Sequence, residues 1–361
     1  MPTFDRITIK GFKSIESAEI KLHDLNVVIG ANGAGKSNLI GAFDLLEHVL
    51  SGRLQQRVAG DPDRFLHHGR KVTNELSLAF SSEHDEYGFN LRAEKNALVF
   101  GDEKAAFLQG NFTDGRPITL GSGHLESRLE EKAKSSGSPI PRYVLDFAKK
   151  PMVFHFHDTS NLSPIKTTAN LEDNRFLRSD AANLPAFLYR MQEKKDEQVC
   201  FRMIEEHIRL VAPFFDRFDL APSELDPKKI DLVWRQKGSN AYFDAYSLSD
   251  GTLRFICLAA LLLQPSMPTM ILLDEPELGL HPFALRVLAE LLEAASKKTQ
   301  VLLATQSVTL LDNFDANSVI VAENDGKKTT FNRPDEEKLR SWLEDYSLGE
   351  LWEKNILGGR P

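Results

Sequence analysis

Cysteine is nearly absent from the 361 residues: only Cys200 and Cys257 occur, too few for a disulfide framework or a cysteine-ligated zinc site. Both fall inside apolar, helix-like patterns and read as core residues. Long apolar runs are missing as well. No stretch approaches the length of a membrane span, and Met1-Pro2-Thr3-Phe4-Asp5 lacks the basic-then-apolar order of a signal peptide. Together these absences point to the cytoplasm. Positive charge is not in excess either. Lys and Arg number 44 against 52 Asp and Glu, a net charge of −8, which argues against a surface uniformly adhesive to nucleic acid and leaves room only for a local groove. The basic clusters Arg64 to Lys71 and Arg142, Lys149, Lys150 have few aromatic residues interleaved for base stacking, so each reads as a solvated face. No internal repeat is visible.

What is present is a 42% hydrophobic content, enough for a full core, and three motifs. The most specific is Gly30-Ala31-Asn32-Gly33-Ala34-Gly35-Lys36-Ser37, placed between the apolar run Leu25, Val27, Val28, Ile29 and the helical pattern Asn38 to Leu50. The glycines let successive backbone N–H groups turn toward phosphate oxygens, Lys36 has the reach for β- and γ-phosphates, and Ser37 offers a hydroxyl to Mg²⁺. The helix adds the positive end of its dipole. This is a phosphate-binding loop in its expected setting.

The second motif, Thr269 to Pro276, is a continuous apolar run ending in two acids, as in a buried parallel strand whose carboxyl end faces a ligand crevice. Asp274 is then placed for Mg²⁺, directly or through water, and Glu275 for polarising a water in line with the γ-phosphate. Alone, Asp-Glu-Pro would also suit a solvated loop. The third motif, Leu248-Ser249-Asp250-Gly251-Thr252-Leu253-Arg254, precedes the apolar run Phe255 to Leu263. A Ser and a Gly at a helix start serve either as an ordinary N-cap or as a second anion site.

In this order the three motifs resemble those of ABC-class ATPase heads, and the chain resembles the RecF/SMC/OLD branch of that class. The likeness is carried by Ile7-Thr8-Ile9-Lys10-Gly11-Phe12-Lys13-Ser14-Ile15, by the Gly-x-Asn-Gly-x-Gly-Lys-Ser-Asn form of the loop, and by Glu277-Leu278-Gly279-Leu280-His281-Pro282 after the acids. The form Leu-Ser-Asp-Gly-Thr-Leu-Arg is that of stand-alone bacterial predicted ATPases of the branch. The likeness spans residues 1–80 and 230–325 and is weak between them.

The resemblance implies an α/β P-loop NTPase fold of ABC type, with a mixed sheet core, an antiparallel β subdomain and a helical lobe. It implies ATP and Mg²⁺, with Lys13, Gly30, Asn32, Gly33, Gly35, Lys36, Ser37 and Asn38 on the nucleotide and Ser37 and Asp274 on the metal. It also implies a homodimer in which two copies face each other across two ATP molecules. Ser249 and Gly251 of one copy then complete the other's site, and Glu277 to His281 crosses the seam. Catalysis falls to Glu275 and Lys36. One departure concerns the switch histidine that many such heads carry after the strand matching Val301 to Ala304, where this chain has Gln306. An amide donates a hydrogen bond to phosphate but cannot carry charge or shuttle a proton, so slow turnover is expected. Capping of the next helix is the other reading of Gln306.

Periodicity organises the rest. An ATP-binding core is expected over 1–80 and 230–325. The segment 81–229 should hold antiparallel strands, a Gly/Ser/Pro-rich insertion at Gly110 to Pro141 with one helical piece at Leu125 to Lys134, and a helical lobe at Leu184 to Met191 and Val199 to Val211. Ile230 to Gln236 and Ala241 to Leu248 read as a hairpin around Lys237-Gly238-Ser239-Asn240, and 326–361 as a helix over Leu339 to Trp352 with a tail. No nuclease domain of the OLD type is read after Ala322, so a nuclease would have to be a separate chain. The expected function is an ATP-sandwich ATPase in DNA repair or maintenance, or in defence against foreign DNA. The alternative is an ATP-gated scaffold controlling a separately encoded nuclease or toxin.

Overall fold

The structure, a computed structural model, describes residues 4–107, 117–149 and 151–360. Period-2 alternation gives the strands β1 (Arg6–Phe12) and β2 (Ile15–Lys21), in which Ile7 and Ile9 are fully buried while Arg6 and Lys10 face solvent. The apolar run β3 (Leu25–Ile29) leads into helix α1 (Lys36–Leu50), followed by α2 (Leu54–Val58). Four strands come next: β4 (Glu75–Ser81), β5 (Asp85–Glu94), β6 (Ala97–Phe107) and β7 (Ile118–Gly121). Helices α3 (Leu129–Ser135) and α4 (Ile140–Ala148) then reach β8 (Pro151–Phe154).

The lobe comprises β9 (Ala169–Asn170), α5 (Leu184–Glu193), α6 (Gln198–Val211), β10 (Phe215–Phe218), β11 (Lys229–Ile230), β12 (Val233–Gln236) and β13 (Tyr242–Asp244). It delivers the chain to α7 (Asp250–Leu263). The remaining elements are β14 (Met270–Asp274), α8 (Pro282–Ser296), β15 (Gln300–Ala304), α9 (Val308–Leu311), β16 (Val319–Asn324), β17 (Thr329–Asn332), α10 (Glu336–Leu339) and α11 (Leu348–Glu353).

Two six-stranded sheets result. One is antiparallel, in the order β2-β1-β4-β5-β6-β7; the other runs β17-β16-β3-β15-β14-β8 and is parallel apart from its edge strand β17. Strand β15 lies between β3 and β14, with Ala304 paired to Val28 on one side and to Asp274 on the other. The carboxyl ends of the phosphate-loop strand and of the acidic strand therefore open on one edge of one sheet. Helix α1 fills the space between the sheets, where Leu39, Phe43 and Leu46 share a core with Phe4, Ile7, Phe80, Val28 and Leu272. On the far face, Val27 and Leu273 share a second core with α5 to α8.

The structure moves several expected boundaries. The helical piece expected from Leu125 begins at Leu129, because Glu126 caps α2 instead: its carboxylate accepts from the backbone N–H of Leu54 at 2.9 Å and Gln55 at 3.0 Å. Part of the Gly110 to Pro141 insertion is strand β7, paired with β6; residues 110–116, like Lys150 and Met1 to Thr3, lie outside the described residues. The strand expected through Leu248 stops at Asp244, whose side chain accepts from Ser247 N–H at 3.2 Å and turns the chain. The helix expected over Leu339 to Trp352 is two short helices, the second restarted by a capping box of Ser347 and Glu350. Helix α4 and the four-residue edge strand β8 have no counterpart among the expected elements. Among the described residues no helix is long and apolar enough to cross a membrane.

The segment after α11 packs against the phosphate loop. Trp352 is fully buried and its Nε1 donates to the Gly359 carbonyl at 2.6 Å, while Gly359 N–H donates to Glu323 at 2.8 Å. A Cβ on Gly359 would lie 3.5 Å from the Cα of Gly30. Trp352→Ala should therefore cost about 3–5 kcal/mol of stability, measured by denaturant unfolding. A loss below about 1 kcal/mol would contradict this packing.

Candidate nucleotide site

The loop between β3 and α1 is glycine-dependent for steric reasons. Gly30 has φ 152°, and a Cβ there would sit 2.3 Å from the Ala322 carbonyl oxygen; Gly35, at φ 101°, would place one 2.3 Å from Thr329 Oγ1. Gly33 lies on the open side, where a Cβ would meet nothing within 4 Å, and Asn32 beside it is exposed. Lys36 is buried and folds back across the loop, its Nζ donating to the carbonyls of Gly30 at 2.7 Å and Ala31 at 3.0 Å. Burial lowers its pKa, opposed by the charges of Glu275, Asp274 and Glu277.

Two residues expected on the nucleotide touch other parts of the chain. Asn38 donates its amide to Ser14 Oγ at 2.7 Å; Ser14 pairs with Thr329 Oγ1 at 2.7 Å, which in turn donates to the Ala34 carbonyl at 2.9 Å. Asn38 thus braces the loop from behind. Lys13, at φ 48°, lies along α1, where a Cβ on Gly41 would be 3.1 Å from its Nζ. Burial and then Arg57 lower its pKa, and among the described residues it makes no salt bridge.

Asp274 ends β14 beside Ser37, whose hydroxyl bonds to it and partly offsets the rise in pKa caused by burial. Its Oδ1 is buried without a partner. A hydroxyl and an under-coordinated carboxylate form a hard oxygen donor set, and Mg²⁺ fits it. Glu275 follows with φ 43°, its N–H donating to the Ala304 carbonyl at 2.8 Å.

Gln306 donates its Nε2 amide to Glu275 Oε1. It does not cap the next helix: Ser307 does, accepting from Leu310 N–H at 3.1 Å. A residue outside the expected site holds this arrangement in place. Glu277 Oε1 accepts from Thr305 Oγ1 at 2.6 Å and from Gln306 N–H at 2.9 Å, while its Oε2 is buried without a partner, and burial raises its pKa. The signal for it in the sequence is a third acid two residues after Glu275.

Ser249 is the N-cap of α7, accepting from Thr252 N–H at 3.2 Å, and is exposed. A Cβ on Gly251 would fall 2.2 Å from the Gly279 carbonyl oxygen, so α7 begins directly against the loop Glu277 to His281. Arg254 locks this contact. Its buried guanidinium donates to the carbonyls of Leu278, of His157 at 3.0 Å and of Phe156 at 3.0 Å, and burial lowers its pKa. The His67 and His68 rings lie 4.2 Å apart, each bonded to a separate carbonyl, of Lys13 at 2.8 Å and of Lys327 at 2.8 Å.

The family model described as "AAA domain, putative AbiEii toxin, Type IV TA system" matches residues 25–312, well over half of the chain and all three motifs. The chain belongs to this family. It is also similar to the DNA replication and repair protein RecF of Pseudoalteromonas translucida, 28% identical over 100 residues, and to RecF of Klebsiella pneumoniae, 34% over 87 residues. Structural maintenance of chromosomes protein 3 of Arabidopsis thaliana is 27% identical over 167 residues. These matches cover 26%, 23% and 45% of this chain, and the chain spans 28%, 24% and 13% of the respective relatives.

An Smc head bound to the C-winged helix domain of ScpA superposes with a TM-score of 0.61 at 17% identity, covering 94% of this chain and 100% of that one. An Smc head with an extended coiled coil, bound to the C-terminal domain of ScpA derived from Pyrococcus furiosus, gives 0.58 at 15% identity over 96% and 99%. The fold is that of an ABC-type ATPase head of the RecF/SMC branch.

In this ATPase head, Arg254→Ala should leave three carbonyls without their donor and lower stability by about 1–3 kcal/mol, with Arg254→Lys failing to restore it because an ammonium lacks the fork. Thermal unfolding of both variants checks this. A second expectation concerns pH. A raised pKa means Asp274 holds its proton at a pH where an ordinary aspartate is ionised, and the metal takes only the carboxylate. The Mg²⁺-dependent part of ATP stabilisation should therefore fade, as pH drops, before the ordinary aspartate range is reached. A thermal-shift series over pH, with and without Mg²⁺, reads it directly.

Proposed function

We propose that this head binds ATP with Mg²⁺ and hydrolyses it slowly within a homodimer whose copies face each other across two nucleotides. We place that cycle in DNA maintenance or in defence against foreign DNA. The observation that carries the reading is a division of the phosphate-binding groups. Lys36, Ser37, Asp274, Glu275 and Gln306 converge at one sheet edge, whereas Ser249 stands exposed at the start of α7. No hydrogen bond joins Ser249 or Gly251 to residues 30–38 among the described residues. A second copy is the natural source of a phosphate for that motif. The relatives named for DNA repair and chromosome maintenance support the biological setting.

In this reading the loop N–H groups and Lys36 hold the β- and γ-phosphates, Lys36 exchanging the carbonyls of Gly30 and Ala31 for phosphate oxygens. Mg²⁺ on Ser37 and Asp274 neutralises phosphate charge when bound. Glu275 orients a water whose oxygen bonds to the γ-phosphorus as the bond to the bridging oxygen breaks and ADP leaves with the electron pair. Gln306 fixes the Glu275 carboxylate but cannot accept its proton. That contact also favours the second reading, an ATP-gated scaffold for a separately encoded nuclease or toxin, since an engaged Glu275 suits a switch that cycles rarely. A cytoplasmic location fits both.

Glu275→Gln decides between them. The solution mass of this variant should double only when ATP and Mg²⁺ are present, with turnover lost and a DNA duplex co-migrating if the head acts on DNA. A mass indifferent to ATP would overturn the facing dimer, and unchanged turnover would overturn the role of Glu275.

A further inference from the structure

We propose that Lys166 is a catalytic residue supplied in trans, meeting the γ-phosphate of the nucleotide held by the second copy. The inference rests on the facing-dimer reading above. Lys166 ends the turn Pro164–Lys166, which a fully buried Ser163 anchors: its hydroxyl donates to the Asp158 carbonyl at 2.5 Å and accepts from Ile165 N–H at 3.4 Å. This turn packs against the turn Ala245–Ser247, which leads the chain into Ser249. Lys166 is thus built into the same corner as the third motif, although about eighty residues separate them in sequence.

Two acids act on Lys166 in that corner, Asp250 and Asp158, and both are exposed to solvent. The Lys166 side chain is only 5% exposed, yet its Nζ stands 3.6 Å from Asp250, the first residue of α7, whose own side chain is 67% exposed. At that distance the pair is an ion pair without a hydrogen bond, and Lys166 Nζ makes no hydrogen bond among the described residues. The Tyr246 ring lies 6.0 Å from its Nζ. A lysine beside a helix N-terminus is opposed by the helix dipole, which favours anions there. Two solvent-exposed aspartates offset little of this. A buried stem, an ammonium without a hydrogen bond, a helix N-terminus and the exposed Ser249 hydroxyl therefore converge on a place that suits a multiply charged anion.

The reaction needs such a group. With Gln306 in place of a histidine, the residues on the Glu275 side offer Lys36 as their cation, and Gln306 adds none. As the γ-phosphorus gains the water oxygen and loses the bridging oxygen to ADP, which leaves with the electron pair, negative charge is spread over the three equatorial oxygens of the γ-phosphoryl group. Lys166 would meet it as a fixed ammonium that transfers nothing, stabilising the transition state only after the copies close.

The test uses the full chain. Lys166→Ala and Lys166→Met, the second keeping the stem, should each lower turnover by roughly 10²-fold, with Lys166→Arg retaining most of it. In the Glu275→Gln background, either loss variant should raise the ATP concentration needed for the dimer, seen as solution mass, by about tenfold. The decisive measurement is mixing. Lys166→Met and Glu275→Gln are each inactive alone, but their mixed dimer pairs an intact Glu275 with an intact Lys166 from the other copy, so turnover should reappear. Slow variants that mixing does not rescue would place Lys166 in its own copy's site and overturn the proposal, as would unchanged turnover. A Glu275→Gln protein that stays monomeric with ATP would instead overturn the facing dimer itself.

Discussion

A loop that must offer its backbone N–H groups to a polyanion cannot use them for its own stability, and this constraint governs much of the head. Within residues 30–37 the Ala34 N–H donates to the Ala31 carbonyl at 3.1 Å, and the loop is further held from behind by other parts of the chain. Thr329 fixes the Ala34 carbonyl, Ser14 and Asn38 tie Thr329 to α1, and the segment around Gly359 lies against Gly30. Lys36 closes the loop on itself through two carbonyls. Such over-determination is what keeps a turn with several positive φ values in one conformation before a ligand arrives.

The same logic extends across the sheet. Glu275 and Gln306 come from adjacent parallel strands and touch because Asp274 and Ala304 are paired in register. Glu277 then fixes the loop after β15, and Arg254 fixes the loop after β14 to the start of α7 and to the segment after β8. One hydrogen-bonded path thus runs from the loop that carries Gln306 to the helix that carries Ser249. In the proposed cycle, a change at the γ-phosphate would reach the exposed face of α7 through this hydrogen-bonded path, in which small shifts propagate as discrete rearrangements.

Local chemistry explains which of these residues were legible in the sequence. The phosphate loop, the acids after an apolar strand and the Ser N-cap are contiguous signals, and the structure places each at the element end expected for it. Asn38 was legible as part of the motif but not as a brace, because its partner Ser14 lies 24 residues away. Arg254 was visible only as the last letter of a motif, since its three acceptors are carbonyls, which every residue has. Thr329, bonded to Ser14 across 315 residues, left no trace at all. Strand β8 was missed for a related reason: a four-residue edge strand takes its structure from its neighbour β14 rather than from its own pattern.

The substitution at position 306 joins these observations. A histidine there would bring a titratable group to Glu275 and could share its proton; an amide offers a fixed donor to the Glu275 carboxylate and carries no proton to give up. In the proposed cycle fast release of that proton would then be lost, while a hydrogen-bond donor toward the γ-phosphate would be kept. Buried Glu277, which fixes the Gln306 backbone, reinforces the geometric half of that exchange. In the cycle proposed above, a site arranged in this way would favour long residence of ATP over rapid turnover, and long residence is what a head needs when the closed state, rather than the hydrolysis, carries the signal.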